Sequence, residues 1–508
     1  MDATNLSPAR LRAILGMMAV SLMAVISAVS GLNMAIPSMA TATGATLTEL
    51  QWIVDACTVV FAGLLLIAGA LGDRFGRKGI LQFGLSVFAL AAAVAFFATD
   101  PAQLVWSRAV MGLAAACVMP TTLSVITTVF PPEQRPRAVG VWVGIAAGGG
   151  VVGILAAAIL LQFFSWNSFF AFNALLAVIA LVGSSLIVPR SKMADAHPLD
   201  VVGGLLSLVA VGGVVFGIIE GPSRGWGDAW TVTALVLGVG ASVGFVFWEL
   251  AQKYPLLDPR LFRVRGFSAG SLSITVQFFA AFGFFFVGLQ YLQFVAGLTP
   301  LVSALCILPM IAVVIPLSRV TATVAARVGF GRISPLGLTL MAAAFVVMSL
   351  MGTELVYWHL LIGLLLFGAG MGLAGPPATT AIISSLGREK QGVASAMNDI
   401  SREVGSALGI AVLGSVLNQV YIDQFTPKIP SVIPTNAVQA FTSSIAWVNS
   451  DDATKRLGPL AAQMIRDAKQ AYMSGIRGAF WLAAAALIVA AVFVAVRAPR
   501  VGVTQVQE

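Results

Sequence analysis

Apolar residues run in long blocks separated by short clusters of polar, glycine and proline residues, and this alternation predicts fourteen membrane-length helices. The spans start near Ala13, Leu50, Gly79, Gln103, Ala138, Asn167, Leu199, Trp230, Phe267, Leu301, Ser334, Val356, Val393 and Ile476. The blocks are too continuous for the alternating strands of a barrel. Backbone immersed in hydrocarbon must also satisfy its own hydrogen bonds, so the predicted fold class is all-α, a polytopic bundle. An even number of spans puts both termini on one side.

Composition agrees. Of the 508 residues 58% are apolar and only 10% charged, and mean hydropathy is +0.95, whereas a soluble domain carries about 25% charge. The solvent for most of this surface is lipid. The formal net charge of +8 raises the question of nucleic acid, but the cations sit in short loops between spans and so report membrane orientation instead. With residues 1–12 in the cytoplasm, most of the 29 lysines and arginines fall in inside loops, so the expectation is a multi-pass plasma-membrane protein with both termini on the cytoplasmic side. The first apolar run is too long for a signal-peptide core and is read as a retained helix. Cys57, Cys117 and Cys306 each lie within an apolar run without paired spacing, so neither a metal site nor a disulfide framework is expected.

The most informative segment is Gly69 to Leu81, G-A-L-G-D-R-F-G-R-K-G-I-L, a tight charged hinge between two spans. Gly69, Asp73, Arg74, Gly76, Arg77 and Lys78 are its gating candidates, since an acid and three cations at helix ends can hold one conformational state against another. A fainter copy, A-A-R-V-G-F-G-R, occurs at Ala325 to Arg332, which divides the chain into two six-helix blocks. The predicted organisation is a short segment 1–12, a bundle 13–190, an inserted pair of helices with flanking loops 191–266, a second bundle 267–497 carrying a long outer loop 421–475, and a tail 498–508. Within the loop, Asp451 to Lys469 reads as an amphipathic helix.

Few charges lie inside the spans. Asp55 follows Gln51 and Trp52 near the start of the second span. A carboxylate at a helix centre costs about 2.5–3.5 kcal/mol on insertion scales, so it either faces a cavity that binds a proton or cation, or sits solvated at the outer boundary. Arg108 has no carboxylate in its own span and must find a partner elsewhere, as a proton-transfer residue or a polar anchor. Asp399 and Glu403 share one helix face at i, i+4; their mutual repulsion makes an exchangeable proton site unless Arg402 and Arg388 neutralise them. Trp142, Phe278, Phe279, Phe282, Phe285, Gln290 and Tyr291 are candidate pocket lining for bulky cations, against the commoner use of aromatics in packing.

The hinge resembles, position for position, the signature loop between helices 2 and 3 of the major facilitator superfamily. W-I-V-D-A at Trp52 to Ala56, L-V-W-S-R-A-V-M-G at Leu104 to Gly112 and N-D-I-S-R-E-V-G-S-A-L-G within Gly392 to Leu417 are similar to segments of its fourteen-span drug:proton antiporter branch. The resemblance implies two six-helix bundles, no enzymatic activity, no cofactor, and a proton gradient driving export of small amphipathic, often cationic compounds by a monomer in the lipid bilayer, with no nucleic-acid partner. It also implies proton-coupling roles for Asp55, Arg108, Asp399 and Glu403. Two positions depart from the pattern: Ala28 stands where the branch commonly has Asp, and Gly153, Ile154, Ala157 and Ala158 replace a Gly-Pro and later Gly-Gly signature. These departures lend weight to a second expectation, export of an endogenous lipid or metabolite; a receptor or scaffold is the third.

Overall fold

The computed structural model describes residues 7–131, 133–189, 199–386, 391–431, 433, 435–449, 455 and 458–499. The expected cations Arg190, Lys192, Arg388, Lys390 and Arg500 lie outside the described residues, as does the beginning of the predicted amphipathic helix. The described chain is helical throughout, with no strand. In chain order the first helices are α1 (Pro8–Ser30), α2 (Leu32–Thr43), α3 (Leu47–Phe75), α4 (Arg77–Phe96), α5 (Pro101–Val129), α6 (Arg135–Phe163), α7 (Ser168–Ile187), α8 (Val201–Arg224), α9 (Ala229–Ala251), α10 (Arg265–Gln290), α11 (Pro300–Val328), α12 (Phe330–Met348), α13 (Tyr357–Ser384) and α14 (Gln391–Phe425). Short α15 (Thr435–Ser443) and α16 (Ile445–Val448) precede the last long helix, α17 (Ala461–Arg497). Among the described residues thirteen helices are long and apolar enough to cross a membrane; α6 adds an apolar stretch, Gly148–Phe163.

Local chemistry explains the starts. Ser7, Asp100 and Thr299 cap α1, α5 and α11 with their side chains, each followed by proline at the first helical position. α1 and α2 form one interrupted span. Pro37 lacks the N–H that would bond the Asn33 carbonyl, and the break falls at Gly31. At the other end, α14 continues to Phe425 and α17 begins at Ala461. The connection predicted as 421–475 is correspondingly shorter, with Tyr421 buried inside a helix.

By internal contacts the chain divides into two compact units. One comprises Met1–Ala45, Glu49–Phe216 and Thr233–Leu256, the other Thr46–Thr48, Gly217–Val232 and Leu257–Glu508. Most of α8 and of α9, the expected inserted pair, falls within the first of these units. α8 lies against α3, where a Cβ on Gly63 would come within 2.8 Å of Leu208. α9 exposes Val236, Val239, Val243 and Phe247 along one side, as suits a helix facing lipid.

Each unit is assembled by the same contacts. Gly76 and Gly329 sit at φ 103° and 94°, positions costly for any side chain, and each joins two helices through N–H bonds to Gly72 and Ala325 respectively. Beyond these hinges, glycines meet backbone in matched places. Gly112 on α5 abuts the Cys57 carbonyl of α3; Gly368 on α13 abuts the Met310 carbonyl of α11. Gly84 on α4 meets the Ala114 carbonyl, as Gly337 on α12 meets that of Gly370. Gly31 and Gly153 bring α1 onto α6, as Gly283 and Gly409 bring α10 onto α14. The faint repeat at Ala325 to Arg332 is thus the visible edge of a duplicated helix frame.

Not every glycine serves this frame. A Cβ on Gly153 would lie 2.6 Å from Ser27, whereas one on Gly148 would meet nothing within 4 Å. Gly153→Val and Gly409→Val should each destabilise by about 1–3 kcal/mol or more through overpacking, and Gly148→Ala should be neutral. Thermal midpoints of the purified variants in detergent check the contrast.

Candidate functional site

In the first unit the site is built where α5 crosses α3. Because Gly112 lets the two backbones touch, Arg108, one turn earlier on α5, reaches across to main-chain carbonyls. Its Nε donates to the Ile53 carbonyl at 3.0 Å and its Nη1 to the Ala28 carbonyl of α1 at 3.2 Å. The side chain is 0% exposed, and Nη2 has no hydrogen-bond partner.

Asp55 lies two residues beyond Ile53 on α3 and is also 0% exposed. Neither carboxyl oxygen has a hydrogen-bond partner, although the group lies within electrostatic reach of Arg108. The alternative of a solvated residue at the membrane boundary is corrected here: Gln51 is 1% exposed, so this end of α3 is covered by protein. A buried carboxyl without donors gains most from binding a cation, whether a proton or an organic ammonium group.

At the hinge, Lys78 donates to the Ser185 carbonyl at 2.7 Å and Gln82 to the Ser185 hydroxyl at 2.8 Å, so the start of α4 is fastened to the C-terminal turn of α7. Gly69 and Gly72 face Pro120 and Thr121 of α5. Arg74 is exposed, with its guanidinium 5.8 Å from the centre of the Phe75 ring, and Arg77 is half-buried. The side chain of Asp73 lies outside the described ones.

In the second unit, the structure brings two predicted groups together. Phe278, Phe282 and Phe285 line one side of α10 in a run of ring contacts, with centroids 6.1 and 6.2 Å apart. Arg402 of α14 places its guanidinium 5.2 Å from the centre of the Phe278 ring, between Asp399 and Glu403 in sequence and within electrostatic reach of both. All three charged residues are half-buried; Glu403 Oε2 and Arg402 Nε are buried atoms without hydrogen-bond partners. Arg402 was missing from the predicted site, though an arginine between two acids on one helix was its signal. Phe279 instead lies at the α10–α14 crossing, its carbonyl against Gly409.

Three predicted pocket residues belong to packing. Trp142 is buried and donates to Thr122 Oγ1 at 3.0 Å, tying α6 to α5. Gln290 donates to the Phe286 carbonyl and accepts from the Tyr472 hydroxyl, both at 2.9 Å. Tyr291 donates to the Gly352 carbonyl at 3.1 Å. Both are 0% exposed, where α10 passes into a π-helical turn at Tyr291–Val295.

Comparison with known proteins fits this architecture. The family model described as Major Facilitator Superfamily matches residues 18–410. The multidrug resistance protein Stp of Mycobacterium tuberculosis is 30% identical, over 90% of this chain and 86% of that protein. The tetracenomycin C resistance and export protein of Streptomyces glaucescens is 30% identical over 95% and 90%. The crystal structure of a bacterial homologue of the human lysosomal transporter Spinster, inward-facing and unoccupied, superposes with a TM-score of 0.68 at 14% identity, covering 97% and 98%. At that identity it reports fold alone.

Tyr472→Phe removes one hydroxyl and leaves Gln290 Oε1 unpartnered, which should destabilise by about 1–3 kcal/mol without changing which compounds are handled. Phe282→Ala should do the reverse, altering compound selectivity more than stability. Thermal midpoints, set beside resistance profiles of cells expressing each variant, distinguish the two roles.

Proposed function

Because the chain belongs to the Major Facilitator Superfamily, we propose that it is a fourteen-span exporter of amphipathic organic compounds, driven by proton antiport through alternating access. The observation that carries the reading is the Asp55 carboxyl, wholly buried and without a hydrogen-bond donor, beside an arginine whose own bonds go to backbone. The resistance and export names of relatives matching across nearly their whole length support the direction. The 29-residue helix α6 supplies the fourteenth span, and both termini lie on the cytoplasmic side of the plasma membrane.

In this cycle Asp55 alternates between a proton and the positive charge released with substrate. It cannot hold both. Arg108, fixed by the carbonyls of Ile53 and Ala28, keeps a positive charge beside it throughout the cycle. Exchanging one proton for one monovalent cation moves no net charge, so the pH gradient drives the cycle, supplying about 1.4 kcal/mol per pH unit. Asp399, Glu403 and Arg402, with the Phe278, Phe282 and Phe285 face, form the surface that receives aromatic or cationic cargo. The Gly69 to Lys78 hinge gates the inward side.

The second reading keeps the fold and changes the cargo to an endogenous lipid or metabolite. What favours it is Ala28, whose backbone carbonyl occupies the place of an expected acid.

The test is proton release from inverted membrane vesicles holding a respiration-built pH gradient, with a panel of lipophilic cations. Wild type should dissipate the gradient with particular compounds, and Asp55→Asn should lower that rate roughly a hundredfold. Equal rates in the variant would remove Asp55 as carrier. Silence of correctly inserted wild type towards every compound would favour the endogenous cargo.

A further inference from the structure

A groove in the second unit belongs to neither charged site. It has a volume of about 540 Å³ and lies where the turn Pro259–Arg263 and the starts of α10 and α14 meet the end of α17. From Ser268 to Thr275 it follows α10 for about 10 Å at the helical rise. Its two ends differ in chemistry.

At one end stands Arg497, which donates through Nε to Ser268 Oγ at 3.4 Å and through Nη2 to the Arg263 carbonyl at 3.0 Å, leaving Nη1 out of both bonds. Arg263 and Arg265 lie exposed on the same turn. Farther in, Ser271 lines the groove. It is 2% exposed and its hydroxyl has no hydrogen-bond partner, so a buried polar group there awaits an acceptor or donor. The remaining walls are Leu272, Met397, Phe262 and Phe493, the last two 39% and 42% exposed on the outer face of the bundle.

We propose that this groove is a binding site for one anionic glycerophospholipid, its phosphate on Arg497, its glycerol-ester oxygens on Ser271 and an acyl chain along Leu272, Met397 and Phe493. The chemistry selects that occupant. A free phosphate ion leaves the apolar walls uncovered. A lipophilic cation of the kind proposed as cargo is repelled by Arg497. A zwitterionic lipid gains less from the cations, because its own ammonium group opposes them. The groove also lies at the helix ends bearing the loop cations, the depth at which lipid headgroups reside. A lipid seated there bridges α10, α14 and α17, and thereby braces the helix carrying Asp399 and Glu403.

Native mass spectrometry of the full-length protein, delipidated in uncharged detergent, tests this with phosphatidylglycerol and phosphatidylcholine of equal chain length. Wild type should retain one phosphatidylglycerol with roughly fivefold or greater preference. Arg497→Gln should abolish the preference. Leu272→Trp, which fills the groove and leaves Arg497 in place, should reduce retention of both lipids, and it decides the matter if the arginine variant folds poorly. Equal retention of the two lipids by wild type, or phosphatidylglycerol retention unchanged by Leu272→Trp, overturns the proposal. So does displacement of the lipid by millimolar inorganic phosphate, which would mark a site for the free ion.

Discussion

Apolar side chains gain little by leaving lipid for one another, so helices in a bilayer associate through close packing of backbone. Glycine permits the approach, and in this chain it does so in matched places in the two units. Gly31 and Gly153 press α1 onto α6; Gly283 and Gly409 press α10 onto α14. The functional groups depend on this frame. Arg108 reaches the Ile53 carbonyl only because Gly112, one turn away, has removed the space a side chain would have held between α5 and α3.

The frame is duplicated, but the charges are not. Relative to the matched glycines, Leu364 takes the place of Arg108 in the second unit and Leu308 the place of Asp55. Conversely, the first unit carries Val143 and Ala147 at the positions of Asp399 and Glu403. Packing constraints act equally on both copies, so they cannot account for charges held in only one. Since each buried charge costs several kcal/mol unless compensated, its presence in a single copy points to work done there.

Thirteen of the long apolar helices were legible because hydrocarbon thickness demands long apolar runs, and the hinge was legible because positive φ demands glycine at Gly76 and Gly329. The start of the last helix was not. Arg466, Asp467 and Lys469 interrupt the hydropathy, yet the helix continues through them, and Lys469 reaches the Val295 carbonyl at 3.0 Å instead of solvent. At Asp55 two readings stood side by side, because Gln51 suggested water; a polar residue near a span end can be covered by its neighbours, as both are here. The roles of Trp142, Gln290 and Tyr291 depended on partners distant in sequence, namely Thr122, Tyr472 and Gly352. No local pattern distinguishes an aromatic facing a cavity from one anchored by such a bond.

Ala28 connects the frame to the proposed chemistry. Where the resemblance leads one to expect a carboxylate, Arg108 instead finds a backbone carbonyl, which holds the guanidinium in place without adding a charge. The cluster therefore contains one cation and one carboxyl. With Asp55 ionised the pair is neutral; with Asp55 occupied by a proton or ammonium group it carries one excess positive charge, held out of water. A second cation entering at that moment meets repulsion with no other acid in the pair to offset it. In the proposed cycle a single carboxyl held beside a fixed guanidinium favours exchange of one charge for another, and Ala28, by adding no second acid, leaves the first unit with that one-for-one trade.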